Sequence, residues 1–169
     1  MSDPLTYISA YPPSLQHQIA DMIEKQTLGQ YLLNRYPKPH NIANDKALRV
    51  YVMDLKNRYL KKSDPLSKIQ YDGKIHVINH ALGLHSYVTR IQGSKLKSKN
   101  EIRISNIFKK VPEVMLRMIV IHELAHLKEK QHNKEFYRLC QNMLADYHQI
   151  ELDVRLLLIH IDTQGDLYK

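Results

Sequence analysis

The stretch 113–129 constrains this chain more than any other part, because it is apolar on nearly every side yet carries two histidines with a glutamate between them. Val114-Met115-Leu116-Arg117-Met118-Ile119-Val120-Ile121 runs straight into His122-Glu123-Leu124-Ala125-His126-Leu127. No Gly or Pro interrupts it, and Pro112 stands at the first turn, where proline is tolerated. The pattern predicts a helix over 113–129, apolar enough all round to be buried, so the rest of the chain must wrap around it. Residues four apart share a helix face, so His122 and His126 aim two imidazoles at one point. Glu123 lies about 100° further round the helix. It is badly placed as a ligand but close enough to reach a water held at that point. The bland alternative is two core histidines that are merely hydrogen-bonded. Ionisable groups in buried helices usually have a stronger reason to be there.

His122-Glu123-Leu124-Ala125-His126 is the H-E-x-x-H arrangement, in which two histidines hold zinc and the glutamate serves as general base. A catalytic zinc takes three protein ligands and keeps one position open for water. His132 follows six residues after His126, where the helix should end, and is the candidate third ligand. Zn2+ is therefore the expected cofactor, held by His122, His126 and His132, with Glu123 as the catalytic base. Three histidines without a second carboxylate cluster suit zinc rather than magnesium. His76, His80, His85 and His148 read as structural or exposed. Tyr137 and Tyr147 are the tyrosines nearest in sequence that could donate to a developing oxyanion, though packing is the plainer role for both.

Around this helix the sequence predicts an α+β order: helices, a small sheet, then helices. An amphipathic helix is expected over 14–36, with Ser14 as N-cap and Leu15, Ile19, Met22 and Ile23 inward. A second is expected over 44–62, with Leu48, Tyr51, Val52, Leu55 and Tyr59 as its apolar stripe. The period then changes. Lys68-Ile69-Gln70-Tyr71 and Lys74-Ile75-His76-Val77-Ile78 flank Asp72-Gly73, a strong hairpin signal. Residues 85–92 and 101–105 alternate as strands, with Gly93-Ser94 turning between them. A small, mainly antiparallel sheet is therefore expected, with the metal helix packed on it. The 101–105 strand reads as an edge that an extended substrate could join. Asn133 can cap a helix over 134–146, with Phe136, Leu139, Cys140 and Met143 inward, and a last helix is expected over 151–161.

The 169 residues fit one domain: a helical part over 1–64, the sheet over 66–108 and the metal-site helices over 112–163. The single cysteine, Cys140, allows no intrachain disulfide and reads as a small core residue in a reducing compartment. Met1 to Tyr7 shows neither a basic nor an apolar leader segment, and the apolar run 156–159 is too short to span a bilayer. A cytoplasmic protein without membrane contact is the expectation. The net charge of +8 favours anionic partners, nucleic acid among them. The basic residues gather in two groups: Lys56, Arg58, Lys61, Lys62, Lys68, and Lys95, Lys97, Lys99, Arg103, Lys109, Lys110. A solvated positive face is the bland reading of both.

The run from Leu116 to Glu129, with His132-Asn133-Lys134-Glu135-Phe136-Tyr137 after it, resembles the YgjP-like metallopeptidase family. Asp45-Lys46-Ala47-Leu48, Tyr71-Asp72, Leu82-Gly83-Leu84-His85 and Gln92-Gly93-Ser94-Lys95-Leu96 extend the resemblance over nearly the whole chain. More distantly, the core is similar to SprT-like zinc proteases, which act on proteins bound to DNA. The resemblance implies a compact zincin fold with a zinc site made by the two helix histidines and the downstream one. It also carries two activities: metal-dependent peptidase, and nucleoside triphosphate pyrophosphatase acting on UTP. Two departures stand out. The aromatic-Gly-Ser-Cys segment of many members is Gln92-Gly93-Ser94-Lys95 here. The spacing from His126 to His132 equals that of metzincins, but Glu129 stands where they have a turn glycine, so the backbone must turn another way.

On this reading the chain is a zinc hydrolase, first a peptidase and alternatively a UTP pyrophosphatase. The substrate is accordingly a polypeptide or a nucleotide. Zinc would lower the pKa of a water towards about 7, and Glu123 would take its proton. For a triphosphate, Lys95, Lys97, Lys99 and Arg103 would hold the phosphates. The third alternative, a nucleic-acid-associated protein with a structural zinc, fits less well. A structural site wants a fourth ligand and has no use for a neighbouring base.

Overall fold

Helix ends show most directly how this sequence makes its elements. Asn44 accepts a hydrogen bond from the Ala47 N–H at 2.8 Å and starts one helix; Asn133 accepts from Phe136 N–H at 2.9 Å and starts another. Each satisfies a donor that the first turn would otherwise leave orphaned. The computed structural model describes residues 3–75, 87–92 and 95–169. A 3-10 turn at Pro4–Ile8 precedes α1 (Pro13–Glu24), α2 (Leu28–Arg35) and α3 (Asp45–Tyr59). The strands are β1 (Leu66–Asp72), β2 (Tyr87–Gln92) and β3 (Lys95–Ser105). A second 3-10 turn, Asn106–Lys110, leads to α4 (Glu113–Ala125), α5 (Lys134–Met143) and α6 (Tyr147–Gln164). The mixture of helices with a small sheet is α+β.

The single helix expected over 14–36 is two. Gln26 takes φ 55°, and the N–H groups of Gln26 and Thr27 bond back to Ile23 and Met22 carbonyls at 3.1 and 3.0 Å. This is a Schellman stop, which usually carries glycine at the left-handed position. Glutamine there leaves no sequence signal. Ser14 is not the cap either: Pro12 occupies that position and Pro13 opens the helix. The break lets α2 turn its buried face, Leu28, Gly29 and Leu32, onto α6.

The sheet has the order β1-β3-β2, and it corrects the expectation of a mainly antiparallel sheet. β2 runs antiparallel to β3, with Gln92 opposite Lys95, as two-residue hairpin spacing requires. β1, however, pairs parallel with β3, from Lys68 opposite Glu101 to Asp72 opposite Ser105. The Asp72-Gly73 signal is a real turn, since the Asp72 carboxylate accepts from Lys74 N–H at 2.8 Å. Local turn chemistry does not say which strand pairs with β1; a long connection brings β3 there instead. The expected second limb over 74–78 lies beyond residue 75 outside the described residues, as do His76, His80, His85 and Gly93-Ser94. The stretch 101–105 is part of the central strand β3, not an edge.

α4 carries ten buried residues from Met115 to Ala125 and packs against α3, α5, α6 and β3. It is the buried helix its composition predicts. No helix among the described residues is long and apolar enough to cross a membrane.

Candidate metal centre

α4 ends at Ala125, four residues before the expected stop, but His126 keeps right-handed helical angles (φ −65°, ψ −15°). The relation between His122 and His126 therefore survives the helix end, and their Nε2 atoms lie 3.3 Å apart. The chain then turns without a left-handed residue: Lys128 and Glu129 N–H groups bond the Ala125 carbonyl at 3.1 and 3.0 Å. This is how the turn forms without the glycine that metzincins use. Glu129 holds the turn at two points. Its backbone carbonyl lies 2.9 Å from His126 Nδ1, and its carboxylate accepts from Asn133 Nδ2 at 3.2 Å. Asn133 thus caps α5 with one end of its amide and ties down the turn with the other. That closed turn brings His132 Nε2 to 3.1 Å from His126 Nε2.

The structure accordingly brings His122, His126 and His132 together, with one nitrogen of each within 4.8 Å of the others. His122 is fully buried, His126 nearly so, and His132 half-buried, so the cluster opens on the side of His132. Phe136 floors it. Its ring stacks on His126 at 4.6 Å between centroids and meets His122 and His132 at 4.9 Å each. Glu123 is fully buried beside His122 on α4. Glu135, the other acid nearby in sequence, is exposed and pairs with Arg138 at 3.3 Å.

A metal fits this arrangement on the chemistry of the donors. Two outward nitrogens meet oxygen: His126 Nδ1 the Glu129 carbonyl at 2.9 Å, and His122 Nδ1 the Tyr147 hydroxyl at 2.8 Å. The Nε2 of each faces inward, and the carbonyl, which can only accept, sets the His126 Nε2 lone pair inward as in metal-binding histidines. Three imidazoles favour zinc or another borderline transition metal over magnesium.

The sequence marks Tyr147 only as an oxyanion donor or packing residue. The structure turns its hydroxyl to the back of His122, away from the inward nitrogens. It is fully buried, and burial together with Glu151 and Cys140 raises its pKa well above the ordinary value. Burial also raises the Glu151 carboxyl, against the opposing pull of Arg155. Burial pushes the Cys140 thiol up to about 12, which makes it an inert core group. Tyr137 packs beside Phe136 and His148, and His148 is exposed. Of the proposed phosphate contacts, Arg103 faces Asp72 at 3.4 Å and Glu101 at 3.7 Å, so two carboxylates already engage it. Lys95, Lys97 and Lys99 lie on β3, and their side chains fall outside the described part of the structure. A recess of about 200 Å³ lies between the Asn106–Lys110 turn and the far end of α6, lined by Leu157, Ile161 and Tyr168. At 1.5 Å per residue along α6, it is about 15–21 Å from Tyr147 and apart from the histidines.

A buried helix offering converging imidazoles beside a glutamate is the equipment of a metal-using hydrolase. The chain belongs to the YgjP-like family, whose metallopeptidase-domain model matches residues 14–155. An Escherichia coli (strain K12) protein named UTP pyrophosphatase is 54% identical over 157 residues, which cover 93% of this chain and 94% of that protein. No solved structure matches the chain.

Proposed function

We propose that this protein is a zinc-dependent hydrolase that cleaves nucleoside triphosphates, UTP foremost, to the monophosphate and pyrophosphate. The convergence of His122, His126 and His132 beside buried Glu123 carries the hydrolase part of the reading. The name of the 54% identical relative supports the substrate and moves the pyrophosphatase ahead of the peptidase that the motif alone puts first. The three histidines would hold the ion through their inward nitrogens. A zinc ion held there would supply a Lewis acid and lower the pKa of a water towards about 7. Glu123 is the base that accepts the proton of the attacking water. The water oxygen bonds to the α-phosphorus, and the bond from that phosphorus to the bridging oxygen breaks. The electron pair leaves with pyrophosphate, and Glu123 returns its proton to the products. Phe136 walls the floor against solvent. Lys95, Lys97 and Lys99 are the phosphate contacts proposed; Arg103, already paired, is the weakest of the four basic candidates.

The family's description supports the second reading, a metallopeptidase of compact zincin type acting on a carbonyl with the same base. One experiment separates them. Zinc-loaded protein is assayed in parallel on UTP, on other nucleoside triphosphates and on an unstructured polypeptide, with Glu123→Gln as the control. Pyrophosphate release lost in Glu123→Gln supports the proposal. Peptide cleavage with no release of pyrophosphate overturns it in favour of the peptidase.

A further inference from the structure

Tyr147, Glu151 and Arg155 lie four residues apart on α6 and so share one face of that helix. All three are buried or nearly so, at 0%, 7% and 9% exposure. Tyr147 Oη sits 2.8 Å from His122 Nδ1. Glu151 follows one turn later on the same buried face, and its charge acts on that hydroxyl. Glu151 Oε1 lies 3.5 Å from Arg155 Nη2, and Arg155 Nη1 donates to the Tyr7 carbonyl at 2.6 Å. A line of buried polar groups thus runs from the back of one candidate ligand through the core to the N-terminal 3-10 turn, and the Arg155 guanidinium also lies over the Tyr11 ring.

We infer that Tyr147 and Glu151 are positioning residues for the metal centre, acting as a carboxylate–tyrosine–histidine relay that holds His122 in its ligand tautomer. As a carboxylate beside Arg155, Glu151 can only accept, so in this relay the Tyr147 hydroxyl donates to it. The Tyr147 oxygen is then left as an acceptor, and His122 must present its proton from Nδ1. Its Nε2 lone pair is thereby fixed inward. A phenol carries its proton at neutral pH, so the hydroxyl can donate. Arg155 balances the charge that would otherwise make a buried carboxylate costly. His126 needs no such device, because a backbone carbonyl holds its Nδ1. His122, deeper in α4, faces another helix and needs a side chain to reach it.

This inference rests on the triad holding a metal, as proposed above, so its test carries a readout that needs none. Zinc affinity is measured by chelator competition on the full chain for the parent, Tyr147→Phe, Glu151→Gln and the double variant. The His122 tautomer is read from ring 15N shifts in the metal-free parent and in Tyr147→Phe. Tyr147→Phe is expected to weaken zinc binding by about 10–100-fold, the usual effect of losing a ligand's outer partner. Glu151→Gln should weaken it less, and the double variant no more than Tyr147→Phe, because both act through one chain. The parent should show the Nδ1–H tautomer and Tyr147→Phe a mixture. Parent-like affinity in Tyr147→Phe, additive losses in the double variant, or an Nε2–H tautomer in the parent would each overturn the relay. Should Tyr147→Phe fail to fold, Glu151→Gln and the parent's tautomer decide it. A parent that binds no zinc removes the hydrolase reading instead, and the tautomer still decides the relay.

Discussion

In the proposed mechanism the chemistry turns on Glu123, whose position next to His122 the motif alone sets. Glu123→Gln should keep zinc and fold but lose turnover by about 10²–10⁴-fold, the range for loss of a general base. Equal turnover in variant and parent would remove it from the mechanism. His132, and not the exposed Glu135 three residues on, stands with the two helix histidines. His132→Ala should release zinc in metal analysis, whereas Glu135→Ala, whose carboxylate faces Arg138, should retain it. Cys140 makes a prediction with a defined sign. Its thiol is raised from 9.0 to about 12 by burial, so the folded chain holds that proton after the unfolded chain has lost it. The stabilisation it brings is complete below pH 9 and fades as pH rises towards 12. Between those values the parent should lose stability with rising pH faster than Cys140→Ala does. Denaturant unfolding at pH 8, 10 and 11 tests this; parallel pH profiles would mean the thiol is not shielded.

At the scale of elements, the backbone makes two close decisions. A Cβ at Gly29 would stand 2.8 Å from His160 Nε2, and His160 is itself held, its Nδ1 3.0 Å from the Gly165 carbonyl. Gly29→Ala should therefore push α2 off α6 and cost about 1–3 kcal/mol, as overpacking does. A calorimetric melt equal to the parent's would show that His160 gives way freely. Gln26, by contrast, sits at φ 55° without need. The left-handed region costs a side chain about 1–2 kcal/mol, and glycine's greater freedom in the unfolded chain returns about half of that. Gln26→Gly should therefore raise the melting temperature slightly. The α1–α2 break and the parallel β1–β3 pair are the elements that local pattern misses. Glutamine hides a Schellman stop, and a turn signal states only that the chain reverses. α3, α4 and α5 are legible because their caps, Asn44, Pro112 and Asn133, stand beside clear apolar patterns.

For the whole molecule, zinc should act as a folding ligand as well as a cofactor. The triad joins α4 to the turn before α5, so a metal bound only by the native state should stabilise it by about 2.7 kcal/mol at a hundredfold excess over Kd. An unchanged melt on adding zinc would mean the triad does not bind it. The net charge of +8 is the other global property. Replacing Lys95, Lys97, Lys99 and Arg103 by Ser should raise KM for UTP steeply if the lysines hold phosphate, and leave peptide cleavage unaffected. If DNA is a partner, binding should also fall with salt in proportion to the phosphates contacted. No change in UTP hydrolysis, peptide cleavage or DNA binding would leave the charge as a solvated face.

The sequence by itself determined what is local. It set the buried helix, the pairing of His122 with His126, the place of Glu123 beside them and the cap that starts α5, because each depends on spacing within a few residues. Spacing also nominated His132 as the third histidine, and the family resemblance supported it. Tertiary structure decided what joins distant segments: β3 beside β1 in parallel, Phe136 under all three imidazoles, and Tyr147 behind His122 with Glu151 and Arg155 in line. Tyr147 is 25 residues from His122, and nothing in its own neighbourhood marks which ring it will meet. Packing α6 against α4 places it there, and the burial of both groups strengthens the hydrogen bond between them.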